Sequence, residues 1–249
     1  CKLKALFFTP LNKDSKQEKE PYSDRPGRKR KFQLIETMRW SKKSGFPLLS
    51  YHFARMKSSA AYFGFSFNEG KARERLKAIR KYLNPAFAYR IRLLLNSGGE
   101  IRLSYQRIKN NQNRGTPEIT LARKKTDSRT DFLYHKTTNR KLYDRQYRKA
   151  KERGFFDVIF ENEKNEITEG AISNIFISKA KMYYTPPVSC GLLAGVYRAY
   201  FMKKHAGFIS EKVLRRKDLL QADAIYLTNA VRGVTHVKIS RSHSKMNFL

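Results

Sequence analysis

Apolar and polar residues alternate in short stretches of the first half of the chain, and this period of two predicts β-strands. Two of these stretches are joined by Ser-Gly-Gly, whose small residues favour a hairpin turn. Between the first strand and the hairpin, apolar residues recur at helical spacing in two segments. The sequence therefore predicts strands at 32–40, 87–96 and 100–108, and helices at 48–65 and 71–83.

The rhythm changes in the second half, where short apolar runs are separated by polar turns. Residues 131–135 look strand-like and precede a helical pattern over 137–154, with Thr138 as the candidate N-cap. Glu169 lies beside a glycine within an apolar, strand-like context. Further strands are predicted at 155–160, 174–178, 181–184, 208–214, 224–229 and 234–239, and helices near 196–205 and 215–221.

These elements predict an α/β (α+β) protein of two lobes, without an internal repeat. Residues 1–31 include a polar, proline-containing segment that indicates a linker or N-terminal extension. We place an N-terminal α+β lobe at 32–125 and a C-terminal α/β lobe at 126–249. The polar stretch 110–118 is the candidate hinge.

The charge balance is strongly basic, with 53 Lys and Arg against 21 Asp and Glu, for a net charge of +32. Such a field attracts anionic partners and opposes compaction. However, the basic residues are scattered through every segment, and the only tight run lies at 27–31. The pattern favours a lysine-rich solvated surface over a nucleic-acid-binding face.

The cysteine and hydropathy patterns exclude other classes of protein. Cys1 and Cys190 are far apart and lack metal-ligand spacing, so we expect neither a metal site nor a disulfide framework. No apolar run approaches the roughly 20 residues needed to span a bilayer, and no signal peptide is recognisable. These patterns predict a reduced, cytoplasmic protein. Because the chain starts at Cys1, we also expect it to derive from a longer one.

Lys136 and Glu169 are candidates for chemistry, each with a plainer alternative. A lysine between a strand and a helix can be desolvated, which makes its amine a nucleophile for carbonyls, but most lysines are simply solvated. Glu169, if buried, needs a cationic partner such as a ring nitrogen. Otherwise it is a surface carboxylate at a hairpin end.

Two features could bind phosphate. Arg55 lies three residues after His52 on one helical face, where its guanidinium could hold an anion or belong to the ordinary basic surface. An Ala-Gly pair precedes Val196 and Tyr197, and the N-terminus of a helix there would present backbone N–H groups. A plain helix start is the commoner explanation of such a pattern.

The order of several motifs resembles the class IV aminotransferases, which are pyridoxal-phosphate enzymes of fold type IV. The matching stretches run from about residue 32 to residue 239 and read IETMR, HxxRxxxSA, HKTxNR, TEGxxSNIFI, TPP, GLLxGVxR and YLTN. The resemblance implies a two-lobed fold like that of D-amino acid aminotransferase, a pyridoxal 5'-phosphate cofactor and a homodimer.

The resemblance also implies roles for individual residues. Lys136 would be the Schiff-base lysine, Glu169 would pair with the pyridine nitrogen, and Arg55 would grip the phosphate. The backbone of Val196 and Tyr197 would help to hold that phosphate. By the same resemblance, Asn174, Asn229 and Ala230 would be further cofactor contacts. Relatives usually have Ser or Thr in place of Ala230, and aminotransferases often have Thr in place of Tyr197, so two small hydroxyls are missing here.

Within the family, the stretches FQLIETMRW, SSAAYFGF and NAVRG are closest to the aminodeoxychorismate lyases, especially those fused behind a synthase domain. This implies loss of pyruvate from 4-amino-4-deoxychorismate, a small anionic substrate, to give p-aminobenzoate for folate synthesis. Arg39 and Arg92 are candidates for binding the substrate carboxylates because both lie on predicted strands of the N-terminal lobe. Thr37 is the candidate proton relay, and no metal is implied.

Two rival functions remain. An aminotransferase acting on branched-chain or D-amino acids would use the same lysine and cofactor. A basic nucleic-acid-binding or catalytically inactive relative belongs to another class. The intact Lys136, Glu169 and Arg55 argue against the inactive relative.

Overall fold

The computed structural model describes residues 32–109 and 115–240, and these residues form two units. The first unit contains 32–109 together with the short segment His135–Asn139, and the second contains 115–134 and 140–240. The segment belongs to the first unit because the amide of Ile35 donates to the carbonyl oxygen of Lys136 at 2.8 Å. The candidate lysine is thus grouped with the predicted N-terminal lobe. The predicted linker and most of the predicted hinge lie outside the described residues.

The first unit is a three-stranded antiparallel sheet covered by helices on one face. The alternation of its strands explains this arrangement, since Met38, Ile91 and Leu93 are fully buried while Thr37 and Arg39 on the opposite face are only half-buried. Its elements are β1 (Leu34–Trp40), α1 (Leu49–Phe63), α2 (Glu69–Ile79), β2 (Tyr89–Leu95) and β3 (Ile101–Arg107), and the strand order is β1-β2-β3.

The second unit is an eight-stranded sheet with three helices. Its elements are β4 (Glu118–Leu121), α3 (Lys141–Glu152), β5 (Asp157–Glu161), β6 (Ile167–Gly170), β7 (Asn174–Lys179), β8 (Met182–Thr185), α4 (Val196–Lys204), β9 (Ile209–Glu211), α5 (Arg216–Leu220), β10 (Ala224–Asn229) and β11 (Gly233–Ile239). The strand order is β10-β11-β4-β5-β6-β7-β8-β9, and β10 also pairs with β7. Six of the strands therefore form a closed ring, and β8 and β9 extend it.

The two faces of the ring carry different apolar clusters. Ile159, Ile175 and Leu227 belong to one buried cluster, in which aliphatic side chains predominate. Their neighbours Val158 and Phe160 point the other way and pack with residues of α3. This separation follows from the period of two along a strand, and it buries both faces. The predicted mixed α/β fold is confirmed.

Two local predictions between residues 131 and 141 were wrong. Asp131–Leu133 form a single 3₁₀ turn and not a strand, and α3 begins at Lys141 without a side-chain N-cap. Thr138 is not a cap because its hydroxyl accepts a hydrogen bond from the amide of Gln33 at 2.9 Å. The amide of Thr138 donates in turn to the carbonyl oxygen of Gln33. Pairing with the start of the first strand therefore replaces capping.

None of the helices in the described residues is long and apolar enough to cross a membrane.

Candidate active site

Contacts on both sides of Lys136 fix its backbone within the first unit. The carbonyl oxygen of Lys136 accepts the hydrogen bond from Ile35 in β1. The ring of the preceding His135 stacks on Tyr62 of α1, with 4.4 Å between ring centroids, and its Nδ1 lies 3.0 Å from the hydroxyl oxygen of Ser59. His135 and the carbonyl group of Lys136 are both held by these contacts. The backbone of Lys136 therefore has little conformational freedom.

Arg55 is bound in a buried cluster that the sequence analysis did not identify. Its Nε and Nη2 donate to the two carboxylate oxygens of Glu36, at 2.8 and 2.7 Å. Nδ1 of His52, one helical turn earlier, lies 2.6 Å from the same carboxylate. Glu36 and His52 belong to the motifs IETMR and HxxRxxxSA. The motifs alone do not show that these side chains contact each other or Arg55. The bidentate contact fixes the plane of the guanidinium.

Electrostatics explain why Glu36 remains ionised inside the unit. Burial alone would raise the pKa of its carboxyl group, since it is fully buried. The positive charge of Arg55, the electrostatic effect of His52 and the hydrogen bonds from both side chains outweigh burial and lower that pKa to about 2. Nε2 of His52 has no hydrogen-bond partner among the described residues. Glu36 is therefore an anion that orients Arg55.

The predicted substrate residues share the helix-free face of the three-stranded sheet. Thr37 on β1 lies directly opposite Arg92 on β2, and Arg39 lies opposite Arg90. Arg90, which the sequence analysis missed, donates through Nη2 to Gln106 Oε1 at 2.8 Å. A cavity of about 290 Å³ on this face is lined by Arg90, Arg92, Ser104, Tyr105 and Gln106. The arginines give this face positive charge, which favours anions.

A β-bulge determines where Glu169 points in the second unit. Ile159 pairs with Gly170 and Glu161 pairs with Ile167, so β6 contains one more residue than the facing part of β5. Strict alternation would place Glu169 on the same face as Ile167, among aliphatic side chains. The extra residue turns it towards the opposite face. The sequence pattern alone could not reveal this bulge.

The carboxylate of Glu169 receives a donor on each oxygen. The hydroxyl of Tyr143, in the first turn of α3, donates to Oε1 at 3.0 Å. The side-chain amide of Asn174 donates to Oε2 at 3.4 Å. Glu169 is only 7% exposed, so it is not the surface carboxylate of the plainer alternative. Tyr143 was missed by the sequence analysis, which gave it no signal other than a position in a helical pattern.

Asn174 connects Glu169 to the start of α4. Its amide also donates to the carbonyl oxygen of Leu193 at 2.9 Å. A Cβ added to Gly195, the N-cap residue of α4, would lie 1.8 Å from Asn174 Oδ1, so only glycine fits there. No side chain caps α4, and its first residues are Val196 and Tyr197. The predicted phosphate-binding backbone therefore lies beside Asn174.

The turn after β10 contains the last predicted cofactor residues. The side-chain oxygen of Asn229 accepts hydrogen bonds from the amides of Val231 and Arg232, at 3.0 and 2.9 Å, so Asn229 shapes the turn around Ala230. Thr228, which the sequence analysis missed, is 1% exposed, and its hydroxyl has no hydrogen-bond partner among the described residues. Thr228 pairs directly with Asn174 on the neighbouring strand β7.

Asp157 anchors the turn between Glu169 and Asn174. Its Oδ1 accepts from the amides of Val158 and Ala171, at 2.8 and 3.1 Å, and its Oδ2 accepts from the hydroxyl of Ser173 at 2.6 Å. Burial raises the pKa of Asp157 to about 6, against the effect of these hydrogen bonds. A side chain at Gly170 would collide with Asp157, at 2.6 Å from Cβ. The sharp turn therefore depends on both residues.

No group of three or more His, Cys, Asp or Glu side chains suited to a metal ion occurs among residues 32–109 and 115–240. The chemistry of the described residues is instead that of an amine, a buried carboxylate and several anion-binding groups.

Comparison with known proteins assigns a family. The family model described as amino-transferase class IV matches residues 33–239. A Schizosaccharomyces pombe protein named "Putative aminodeoxychorismate lyase" is 28% identical over 75% of this chain and 81% of its own length. A crystal structure titled as that of "a Putative amino-acid aminotransferase" from Mesorhizobium loti is 33% identical, with a TM-score of 0.78 over 84% of this chain and 100% of its own.

A second solved structure resembles the fold at lower identity. A hypothetical aminotransferase of Mycobacterium tuberculosis in its PLP-bound form is 20% identical, with a TM-score of 0.74, and the match covers 84% of this chain and 81% of that one. The family match spans most of the described residues of both units. The chain belongs to the class IV aminotransferase family.

Proposed function

We propose that this chain is a pyridoxal-phosphate-dependent 4-amino-4-deoxychorismate lyase, which releases pyruvate and leaves p-aminobenzoate, a precursor of folate. One observation carries the choice of a lyase over a transaminase. The helix-free sheet face presents Arg39, Arg90 and Arg92 beside Thr37. The proposed substrate bears two carboxylates, whereas a branched-chain amino acid offers one carboxylate and an apolar side chain. The named relative from Schizosaccharomyces pombe supports the same choice.

The described residues fit the cofactor that the family uses. The uncapped start of α4 and the buried, unpartnered hydroxyl of Thr228 are suited to a phosphate group. Thr228 also offers a hydroxyl that Ala230 lacks. Glu169 is buried and ready to accept a hydrogen bond from a ring N–H, and Arg55 is oriented by Glu36. When bound, the cofactor supplies an electron sink for charge that develops on the substrate.

The roles of the protein side chains follow from their chemistry. The amine of Lys136 would hold the cofactor, and the same amine is the base that takes the proton from the substrate ring carbon bearing the amino group. Arg39, Arg90 and Arg92 hold the substrate carboxylates. Thr37 delivers a proton to the departing pyruvate as its C–O bond breaks. Aromatisation of the remaining ring makes the reaction effectively irreversible.

The proposed function is tested by product analysis. The purified protein is loaded with pyridoxal phosphate and given 4-amino-4-deoxychorismate, and p-aminobenzoate is followed by its fluorescence while pyruvate is measured in parallel. Equal amounts of both products are expected. Lys136→Ala should give neither, whereas Lys141→Ala, five residues further on and exposed, should leave the rate unchanged.

The main alternative is a transaminase, and the same preparation distinguishes it. The loaded protein is given branched-chain or D-amino acids with 2-oxoglutarate, and the new keto acid is measured. A Thermotoga maritima protein named as a probable branched-chain-amino-acid aminotransferase is 30% identical over 36% of this chain and 34% of its own length, so this control is necessary. Keto acid without any p-aminobenzoate would contradict the proposed lyase.

A nucleic-acid-binding role is tested separately. If the +32 charge served this role, random-sequence DNA would bind tightly at low salt, and its affinity would fall steeply as salt rises. Tight DNA binding by a protein that takes up no pyridoxal phosphate would favour that alternative. A homodimer and a cytoplasmic location stay predictions.

A further inference from the structure

Tyr143 contacts the residue that we expect to face the ring nitrogen of the cofactor. We propose that Tyr143 is a positioning residue, which holds the carboxylate of Glu169 in one orientation and keeps the shared proton on the ring nitrogen. This inference rests on the proposed cofactor-dependent function. Its geometric basis is the 3.0 Å hydrogen bond from the Tyr143 hydroxyl to Oε1, with Asn174 donating to Oε2.

Tyr143 is itself held in place by its surroundings. Its ring lies 4.4 Å from the ring of Phe160 on β5, centroid to centroid. The guanidinium of Arg140 lies 5.7 Å from the ring centroid of Tyr143, and its Nη2 donates to the carbonyl oxygen of Ala171 at 2.6 Å. The phenol therefore reaches Glu169 from a fixed position in the first turn of α3. A hydroxyl fixed in this way selects one orientation of the carboxylate.

The phenol of Tyr143 stays protonated at neutral pH and can act as a donor. Burial raises the pKa of Tyr143 well above its ordinary value, and the negative charge of Glu169 acts in the same direction. A protonated phenol can donate to the carboxylate, which makes that carboxylate a weaker base. When a pyridine N–H shares its proton with a weaker base, the proton stays on the pyridine. A protonated ring nitrogen is the stronger electron sink.

The plainer alternative is that Tyr143 is only a core residue with a satisfied hydroxyl. Both ideas predict some loss of stability on removal of the hydroxyl, since a buried hydrogen bond is lost. Only the positioning role predicts a change at the ring nitrogen of the cofactor. The decisive measurement must therefore report on that atom and not on activity.

The test uses the full chain loaded with ¹⁵N-labelled pyridoxal phosphate. Glu169→Gln gives the ¹⁵N chemical shift of a ring nitrogen without a carboxylate partner. We expect Tyr143→Phe to move the shift part of the way towards that value, and to weaken cofactor binding by up to about tenfold, because the carboxylate is no longer held in the orientation that faces the ring nitrogen. Tyr226→Phe removes a hydroxyl from β10 instead and should change neither quantity.

A second variant covers the case in which Tyr143→Phe folds poorly. Replacing Tyr143 with 3-fluorotyrosine keeps the shape of the side chain and makes the phenol a stronger donor, so the ¹⁵N shift should move in the opposite direction, towards full protonation. Circular dichroism and thermal midpoints confirm folding. A parent-like shift in both folded variants would overturn the inference and leave the proposed function standing. A parent that binds no cofactor would overturn both.

Discussion

Glu36 is ionised at a position where an isolated carboxyl group would be neutral, and this has a measurable consequence for stability. Its folded pKa of about 2 lies below the ordinary value of 4.5, so the folded state binds its proton less readily than the unfolded state does. The stabilisation is fully present above pH 4.5 and is lost as the pH falls towards 2. The two pKa values imply about 3 kcal/mol as an order of magnitude.

This pH dependence is checked by urea unfolding between pH 7 and pH 3. The parent should lose stability steeply below pH 4.5, and Glu36→Gln should show a shallower loss from a lower starting value, because Arg55 and His52 then lack an anionic partner. Glu100→Gln is the matched control, since Glu100 is paired with Arg102 at the surface, where solvent screens the charges. Parallel pH profiles for parent and Glu36→Gln would refute the prediction.

Residue 195 must be glycine because the side chain of Asn174 lies so close to it. Its backbone conformation is one that other residues also adopt. A methyl group there would lie 1.8 Å from Asn174 Oδ1, so Gly195→Ala must displace Asn174 from Leu193 and Glu169. We expect a loss of about 2 kcal/mol or more in the free energy of unfolding, as for other overpacked sites. Pyridoxal phosphate binding should weaken as well.

Denaturant unfolding and a cofactor titration measure the two effects. Gly98→Ala is the control because the nearest atom to its added Cβ would be 3.7 Å away. Its stability should stay within about 0.5 kcal/mol of the parent. Equal effects of the two substitutions would show that the contact with Asn174 does not matter.

Sequence motifs single out some residues of the candidate site, but they do not reveal residues that contact it from a distant part of the chain. Lys136, Glu169 and Arg55 were all singled out in advance. Tyr143 was not, because its partner lies 26 residues away and is reached only through a β-bulge. Glu36 and Arg55 are 19 residues apart and belong to different elements. Such pairings depend on the register of strands and helices, which local composition does not encode.

At the level of elements, the local patterns predicted β1, α1, α2 and the hairpin because each pattern is contained within its own segment. The wrong predictions lie where a residue could bond either within its own segment or to a distant segment. Thr138 has the chemistry of an N-cap, but its hydroxyl accepts from Gln33 instead. The hydrogen bond between residues 105 positions apart forms instead of the local one, and it ties the segment that contains Lys136 to the start of β1.

This pairing predicts the effect of Thr138→Val, which preserves the branched shape but removes the acceptor. The Gln33 amide should exchange with solvent faster, because its bond to the Thr138 hydroxyl is lost. The Ile35 amide should remain protected, because its acceptor is the backbone oxygen of Lys136. We expect about 1 kcal/mol of destabilisation, typical of one partly buried hydrogen bond.

Hydrogen exchange followed by NMR or mass spectrometry resolves the two amides. Thr137→Val is the control, since its hydroxyl accepts from Asn139 within the same short segment. If Thr137→Val and Thr138→Val change the exchange of Gln33 equally, the cross-segment bond is not the cause.

For the whole molecule, the +32 charge is a source of repulsion that salt can reduce. Charges at the surface interact over about 30 Å at 10 mM salt and over about 8 Å at 150 mM. We therefore expect the thermal midpoint of the cofactor-free protein to rise when sodium chloride is increased from 10 to 150 mM. A fall would mean that the exposed ion pairs, such as Arg73 with Glu69, contribute more than the net repulsion costs.

The closed ring of strands in the second unit has a consequence for synthesis in the cell. The ring joins β4 to β11 and β7 to β10, and these partners are far apart along the chain. While residues 224–239 are still inside the ribosome, β4 and β7 expose unpaired edges, the kind of surface that invites aggregation. The nascent chain can protect them only when residues 224–239 have left the exit tunnel. A chaperone that shields such edges would therefore be needed until residues 224–239 have emerged.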